Sequence, residues 1–386
     1  PLAAAEPAHG HWSAQHEQDP FAVSLDEKLE LLFAAEAALR TDPRIVRSEA
    51  QCASRRARSA FASTEGAACT QERVECGAGL AVIAVDGSEM QRRSYPGSHG
   101  GGTECAGWEY VLGLDLAANA PRIASEAIEL LSAPPCPSER TTLVLHGEQL
   151  ALQIHESIGH ALELDRILLC EAAYAGSSWV ASGDIGTLRY GSEHLNITAD
   201  ATVPGGLGSF GWDDEGVAAR RAPLIEHGVL RATLSDRQSA AAIGLDASGG
   251  CARADGFSRQ PIVRMTNVSI EPGHAGTLDD LIADTDDGLY METNRSWSID
   301  DRRLHFQFAT ELAREIRGGT LGRLLRNPSY AGVTPRFWGG LDAVCSRPAW
   351  RLWAVLNCGK GEPGQTMRVS HGAAPARFRD VDVGVA

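Results

Sequence analysis

Side chains that could do chemistry together are concentrated in residues 153–166, which read QIHESIGHALELDR. The stretch holds His155, Glu156 and His160 among apolar residues. It contains no proline and one glycine, which predicts a mostly buried helix. Two imidazoles and an adjacent carboxylate are the minimal set for metal-assisted hydrolysis, because imidazoles bind a Lewis-acid metal and a carboxylate takes a proton from water. His155 and His160 are therefore candidate metal ligands, and Glu156 is a candidate general base.

The two histidines are five residues apart, whereas the HExxH motif places them four apart. At roughly 100° per residue, four residues span about 40° around an α-helix and five span about 140°. One metal can bind both side chains only if the helix contains an extra residue. Gly159 would ease such a π-bulge, because glycine tolerates unusual dihedrals. We therefore expect an i→i+5 hydrogen bond or a helix break centred on residues 157–159. The alternative is two ordinary histidines on a buried helix.

Nine cysteines occur at irregular spacing, and none belongs to a CxxC pair. An odd, scattered set is a poor disulfide framework, which favours a reducing cytosol and small buried side chains. Cys358 differs in context, because it follows the apolar run 352–356 and lies in a glycine-containing turn. The nearby Lys360 would favour the thiolate, the form that binds metal. This context alone leaves Cys358 open between a buried apolar residue and a third ligand.

Four segments of the chain, in this order, resemble the TldD/PmbA metalloprotease family. They are HESIGHALELDR (155–166), SFGWDDEGVAARRAPLIEHGVL (209–230), RQPIVRMTNVSIEPG (259–273) and NCGKGEPGQTMRV (357–369). Four ordered matches over most of the chain are far more specific than any single one. In the metal-bearing, TldD-like branch, two helix histidines and a cysteine near the C-terminus hold the metal. Those positions match His155, His160 and Cys358 here, whereas the PmbA-like branch lacks the motif.

The resemblance implies a metallopeptidase with one metal ion per chain. Zinc is the expected metal, and another divalent transition metal is the alternative. It implies Glu156 as the general base, and peptides or unfolded polypeptides as substrates. It also implies a cytoplasmic protein that assembles as a homodimer or as a heterodimer with a PmbA-like chain. The physiological substrate and the cleavage preference do not follow from it.

Two other interpretations remain open. The HExxGH spelling is also similar to that of the dipeptidyl peptidase III family, whose third zinc ligand is a downstream glutamate. Glu171 is the candidate for that ligand, although the C-terminal segments do not fit that family. The second alternative is a non-catalytic partner subunit of a TldD/PmbA complex with a decayed site. The intact set of two histidines, a glutamate and a cysteine argues against decay.

The composition excludes several classes of protein. Hydrophobic content of 43% and charged content of 22% are ordinary for a globular chain of 386 residues. A net charge of −15 argues against a nucleic-acid partner. No apolar window of about 18 residues is present, which argues against a membrane span. No signal peptide is visible. The chain begins with proline rather than methionine, which leaves open whether residues precede it.

We predict an α+β fold in three parts. Residues 1–41 form a tail and a helix that the resemblance identifies as the remnant of an N-terminal domain. Residues 42–138 form a smaller mixed α/β middle domain. Residues 139–386 form a β-rich catalytic domain, and the metal-binding helix lies at its start. The proline-rich segment 133–137 is the clearest boundary between the last two parts.

Local signals predict elements within the first two parts. Ser24 and Glu27 form a capping box that begins a helix, because a serine hydroxyl can accept a hydrogen bond from a free N–H of the first turn. Residues 44–110 are interrupted by turn signals and are typical of short strands.

Three features of the last part also carry expectations. Residues 261–270 alternate as one strand with Arg264 on an inner face, where a structural pairing with a carboxylate is favoured over substrate binding. His305 alternates with apolar neighbours, which is typical of a core histidine. The acidic turn 213–215 is more typical of a solvated loop or of capping residues than of a calcium site, because the EF-hand spacing is absent.

Overall fold

Two large hydrophobic cores organise the chain in a computed structural model, which describes residues 2–98 and 100–386. One core is built by side chains from residues 23–131 and the other by side chains from residues 136–383. Strands predominate in the second. The α+β fold with a β-rich C-terminal part is therefore confirmed.

The first core lies between a five-stranded sheet and three helices. Strand β3 is central, with β1 parallel to it and β2, β4 and β5 antiparallel. These elements are β1 His9–Ser13, α1 Leu25–Leu39, β2 Ile45–Ala62, β3 Ala68–Asp86, β4 Glu89–Tyr95, β5 Gly102–Glu104, α2 Trp108–Gly113 and α3 Leu116–Ser132.

Strands β2 and β3 form a long hairpin that pairs from Ile45 and Ala84 to Ala62 and Ala68. The expectation of short strands in this region holds for β4 and β5 but is wrong for β2 and β3, which run for 18 and 19 residues. Partly buried and exposed residues alternate along much of β2, which is typical of a strand with one face exposed to solvent.

Helix α1 packs against α3 and β2, and its side chains share the core with β3. The serine half of the predicted capping box is confirmed, because the Ser24 side chain accepts a hydrogen bond from the Glu27 N–H at 3.2 Å. The domain boundary after residue 41 stays a prediction.

The second core is enclosed by a seven-stranded sheet in which five strands close into a ring, β13-β6-β20-β16-β14 and back to β13. Strand β6 is parallel to β13 and antiparallel to β20. Strands β15 and β17 pair with β14 and β20. The strands of this sheet are β6 Glu139–Leu145, β13 Asp287–Ile299, β14 His305–Arg317, β15 Thr320–Leu325, β16 Pro328–Val333, β17 Leu341–Val344 and β20 Ala376–Val385.

Smaller sheets and short helices also pack against this core. Strands β12, β7, β8 and β9 form one sheet, and β18 with β19 forms a hairpin that packs on β12. The remaining elements are α4 Gly147–Ile154, α5 Leu164–Ile167, β7 Ile197–Asp200, β8 Arg221–Glu226, β9 Val229–Leu230, α6 Arg237–Ala242, β10 Ala252–Arg253, β11 Ile262–Val263, β12 Asn267–Ile270, α7 Leu278–Ala283, α8 Thr334–Gly339, β18 Arg351–Lys360 and β19 Gln365–Ala373.

The segment 261–270 is therefore two short strands, β11 and β12, rather than the single strand expected. Residues 264–266 lie between them, so strict alternation does not hold across the segment. None of the described helices combines the length and the apolar character needed to cross a bilayer.

Candidate metal centre

The candidate site begins where β6 ends. His146 follows β6 and caps helix α4, which remains α-helical through Ile154. A π-helical turn then spans His155–Gly159, and a short 3₁₀ turn spans His160–Leu162. The His160 N–H donates to the His155 carbonyl, which is an i→i+5 hydrogen bond. The predicted bulge is confirmed, and its extra residue returns the second histidine to the face of the first.

The need for glycine at position 159 has a different cause from the one expected. Its φ of −54° and ψ of −62° are ordinary helical values, so the explanation from unusual dihedrals is wrong. A Cβ atom at this position would instead lie 2.1 Å from the Met265 sulfur. Glycine is required because the side chain of Met265 packs directly against the π-helical turn.

Strand β18 places Cys358 beside the two histidines, although Cys358 comes 198 residues after His160 in the chain. The β18–β19 register shifts between Val355 and Cys358, and such bulges commonly redirect a side chain beside a functional site. The Cys358 sulfur lies 3.5 Å from His160 Nε2. The ligand atoms of His155, His160 and Cys358 all lie within 4.8 Å of one another, and all three residues are buried.

Arg264 contacts Cys358 rather than a carboxylate, contrary to the expectation from sequence. Its Nη2 donates to the Cys358 carbonyl and lies 3.1 Å from the thiol sulfur, and its Nη1 donates to the Gln365 carbonyl. Burial raises the pKa of Cys358, but His160 and Arg264 outweigh that effect and hold the pKa below its ordinary value. The expected role of Lys360 is not observed, since its ammonium group bonds Asp165 at 2.7 Å.

His160 is oriented by a buried carboxylate. Its Nδ1 lies 2.8 Å from Glu163 Oε2, and Glu163 in turn lies 3.4 Å from Lys360 and 3.7 Å from Arg166. Burial raises the pKa of Glu163, but Lys360 and His160 outweigh it and hold that pKa well below its ordinary value. An ionised carboxylate only accepts hydrogen bonds, so His160 Nδ1 is the donor. The Nε2 lone pair is left to face Cys358.

His155 is oriented by a second histidine, which sequence reasoning missed. Its Nδ1 lies 2.8 Å from His371 Nε2, and the His371 ring is fully buried. Burial lowers the pKa of His155 to about 4 and lowers the pKa of His371 further below its ordinary value. Both rings are therefore neutral at neutral pH, and a neutral imidazole is the form that binds metal.

Glu156 projects beside the ligand cluster and is paired with Arg303, another residue that sequence reasoning missed. Arg303 Nη1 donates to Glu156 Oε2 at 2.7 Å. Arg303 lies in the turn between β13 and β14, and Thr334 Oγ1 donates to its carbonyl. Among the described residues, no donor bonds Glu156 Oε1. That oxygen is free to accept a proton.

One cavity of about 780 Å³ between the two cores is lined by the three candidate ligands, the candidate base and its partner: His155, His160, Cys358, Glu156 and Arg303. The first core contributes residues of β4, β5, α2 and α3, and the second contributes α4, the π-helical turn and β13. Residues 351–359 of β18 form one wall. The cavity is large enough for a segment of polypeptide beside the candidate ligands.

Glu171 does not join the cluster. Its carboxylate accepts a hydrogen bond from the Gly361 N–H at 3.2 Å. Within residues 2–98 and 100–386, the group of three potential ligands that converges is His155, His160 and Cys358. The dipeptidyl peptidase III interpretation therefore gains no support.

Two further sequence predictions concern His305 and the acidic turn 213–215; the first is wrong and the second is confirmed. His305 is not a core histidine, since its side chain is 64% exposed and its Nδ1 lies 2.9 Å from Asp300 at the end of the turn. Asp213 is a capping residue, because its carboxylate accepts hydrogen bonds from the N–H groups of Glu215, Val217 and Ala252. The capping interpretation of the acidic turn is confirmed.

Comparison with known proteins decides the family. Residues 18–133 match the family model for the PmbA/TldA metallopeptidase central domain, and residues 138–385 match that for the PmbA/TldA metallopeptidase C-terminal domain. The chain belongs to the PmbA/TldA metallopeptidase family. The two matches together cover most of this PmbA/TldA chain, including every residue of the candidate site.

Among the relatives of this PmbA/TldA protein is a metalloprotease of Methanothermobacter thermautotrophicus. It is 33% identical over 365 residues, which are 95% of this chain and 75% of the relative. A zinc metalloprotease TldD homolog of Saccharolobus solfataricus is 27% identical over 243 residues, which are 63% of this chain and 51% of that relative.

Solved structures show the same fold. A Thermotoga maritima protein described as a candidate modulator of DNA gyrase superposes with a TM-score of 0.76 at 17% identity, and the match covers 99% of this chain and 79% of that one. TldE from Thermococcus kodakarensis superposes with a TM-score of 0.69 at 16% identity, with the same two coverages. At these identities the likeness concerns the PmbA/TldA fold alone.

Proposed function

We propose that this PmbA/TldA chain is a TldD-like metallopeptidase that hydrolyses peptide bonds in peptides or unfolded polypeptides. His155, His160 and Cys358 are the ligands of one zinc ion, and Glu156 is the general base. The observation that supports this most directly is the convergence of three ligand atoms within 4.8 Å, beside a buried glutamate, in a cavity of about 780 Å³.

The donor set fits a zinc ion. Two neutral imidazoles and a thiol with a lowered pKa supply two nitrogen ligands and one sulfur ligand, a combination suited to zinc. Catalytic zinc sites use three protein ligands and leave the fourth position open. Each imidazole also has its other nitrogen held by a buried partner, which fixes the ring orientation.

When bound, zinc supplies Lewis acidity that polarises the scissile carbonyl and lowers the pKa of water to about 7. Glu156 takes a proton from the attacking water as the water oxygen bonds to the carbonyl carbon. As the carbon–nitrogen bond breaks, Glu156 passes that proton to the leaving amine. Arg303 holds the base through Oε2, so Oε1 is the oxygen that carries the proton.

The wall formed by β18 supports an extended substrate. In the described chain β18 pairs with β19 on one edge, while residues 351–359 border the cavity. A peptide added along that edge would be held by main-chain hydrogen bonds, which bind with little dependence on sequence. Such a substrate must be unfolded locally, because a folded segment cannot present a free strand.

Two aspects of the proposal stay predictions. The cytoplasmic location and the assembly into a homodimer, or into a heterodimer with a PmbA-like chain, are implied by the resemblance to TldD. The non-catalytic alternative has no observation in its favour, since the ligand cluster and the base are all present.

Hydrolysis of an unfolded polypeptide by Glu156→Gln tests the proposal. The amide cannot accept the proton, so we expect a loss of about a hundred- to ten-thousandfold, with zinc content unchanged. Glu171→Gln is the matched control, because an amide oxygen can still accept the hydrogen bond from Gly361. Full activity in Glu156→Gln would remove Glu156 from the mechanism, and loss of zinc in Glu171→Gln would revive the alternative ligand.

A further inference from the structure

A buried chain of hydrogen bonds leads away from His155 on the side opposite the ligand cluster. His155 Nδ1 lies 2.8 Å from His371 Nε2, and His371 Nδ1 lies 2.7 Å from the Val268 carbonyl oxygen. His371 belongs to β19 and Val268 to β12, so two strands of different sheets fix the chain. His155 and His371 are 2% and 0% exposed, which excludes bulk water from both bonds.

The Val268 carbonyl oxygen, at the end of the chain, determines which nitrogen donates in each hydrogen bond. A carbonyl oxygen only accepts, so the proton between His371 and Val268 belongs to His371 Nδ1. His371 is fully buried, and the described hydrogen-bond partners of its ring are His155 and the Val268 carbonyl, so no carboxylate balances a charged ring there. The neutral imidazole carries one proton, so His371 Nε2 is a lone pair and can only accept. The proton between the two rings therefore belongs to His155 Nδ1. His155 Nε2 is left as a lone pair.

His160 is held in the same tautomer by a different partner. Its Nδ1–H donates to the ionised carboxylate of Glu163, which leaves Nε2 facing Cys358 at 3.5 Å. The two rings lie with centroids 4.8 Å apart and an interplanar angle of 84°. Because the ligand atoms of the two rings lie within 4.8 Å of each other, a single ion could accept both Nε2 lone pairs.

We propose that His371 is a positioning residue that holds His155 in the tautomer whose Nε2 binds the metal. The proposal rests on the metal role of His155 given above. His371 itself is not a ligand, because its two ring nitrogens are occupied by His155 and Val268. Its backbone is also fixed, since the neighbouring Gly372 N–H donates to Ser269 Oγ at 2.8 Å.

A cobalt titration of the purified chain and its variants tests this role. Cobalt is a spectroscopic substitute for zinc, and its sulfur-to-metal charge-transfer band reports on Cys358. His371→Leu removes the acceptor, and we expect its affinity to fall about ten- to hundredfold, the range found for lost outer-shell partners. His371→Gln restores an acceptor oxygen and is expected to stay within about threefold of the wild type. The exposed His274→Leu is the matched control.

The outcomes separate this inference from the proposed function. If the wild type binds no cobalt, the metal site itself is wrong. If the wild type binds and a folded His371→Leu binds equally well, only the role of His371 is overturned. A folded His371→Gln that loses as much affinity as His371→Leu would also overturn it, because the acceptor would then not be the cause.

A second measurement does not depend on the folding of any position-371 variant. In metal-free wild-type protein labelled with ¹⁵N-histidine, two-bond NMR correlations distinguish a protonated Nδ1 from a protonated Nε2. We expect the His155 ring, assigned with a His155→Gln variant, to be protonated at Nδ1 and unprotonated at Nε2. The opposite tautomer would overturn the proposal.

Discussion

Glu156 accepts a hydrogen bond from the guanidinium group of Arg303, with 2.7 Å between Oε2 and Nη1. The backbone of Arg303 has a φ of +62°, a left-handed conformation that favours glycine and costs other residues about 1–3 kcal/mol. Thr334 holds the Arg303 carbonyl, and Leu304 donates its N–H to Asp300. A long charged residue at a strained position, pointing at the candidate base, is best explained by its contact with Glu156.

Arg303→Gln should therefore reduce catalysis and leave the metal in place. A hydrogen bond to a charged group contributes about 1.5–3 kcal/mol, so we expect kcat to fall roughly tenfold to a hundredfold. Zinc content should not change, because the Arg303 side chain donates its hydrogen bond to the base and not to a ligand. Steady-state kinetics on an unfolded polypeptide would measure the effect.

The neighbouring Arg302 provides the matched control. It is exposed, so Arg302→Gln removes the same charge from the same turn without touching the base. A kcat for Arg303→Gln within twofold of that for Arg302→Gln would contradict the role assigned to Arg303.

Gly159→Ala should destabilise the chain through a steric clash. The added Cβ would lie 2.1 Å from the sulfur of Met265, and overpacking of this kind costs about 1–3 kcal/mol. In a Met265→Ala background, the same Gly159→Ala change should cost less than in the wild type, because the clashing sulfur is gone, whereas a strained backbone would cost the same in both backgrounds. Gly183→Ala is the control, since no atom lies within 4 Å of its added Cβ. Denaturant unfolding of the wild type, the two single variants, the double variant and the control would measure these costs, and an equal cost of Gly159→Ala in both backgrounds would argue against the steric cause.

Part of this site could be predicted from sequence. The five-residue spacing of His155 and His160 required a bulge, because one ion cannot reach both rings on a regular helix. The capping hydrogen bond of Ser24 followed from contacts within one turn. These features depend on neighbours in the chain, which a sequence displays directly.

Other features depend on distant strands and leave no spacing signal. Arg303 reaches Glu156 across 147 residues and His371 reaches His155 across 216 residues, and neither belongs to a motif with a fixed interval. The reason for a glycine at position 159 was missed in the same way, because Met265 packs against it from another part of the chain. Arg264 was expected to find a carboxylate, but β18 places Cys358 in front of it instead.

The metal-free protein should lose stability as the pH falls from about 6.5 to about 4. His155 has a folded-state pKa of about 4 and an ordinary value of 6.5, so the unfolded chain binds the proton first in this window. His160 and His371 are shifted in the same direction. At about 1.4 kcal/mol per pKa unit, His155 alone contributes up to about 3 kcal/mol of this loss.

Denaturant unfolding at a series of pH values measures that contribution. Carboxylates also titrate in this range, so the informative quantity is the difference from a folded His155→Gln variant, whose curve should be flatter. His305→Gln is the control, because that ring is exposed. Equal slopes for the wild type and His155→Gln would contradict the prediction.

The zinc content of purified Cys358→Ser, compared with that of the wild type, tests the central claim most directly. Elemental analysis after dialysis against a weak chelator should find one zinc per chain in the wild type and in Cys170→Ser, whose altered side chain is exposed. Cys358→Ser should retain far less, because the sulfur that lies 3.5 Å from His160 Nε2 is lost. Equal zinc in Cys358→Ser and the wild type, or none in the wild type, would contradict the account.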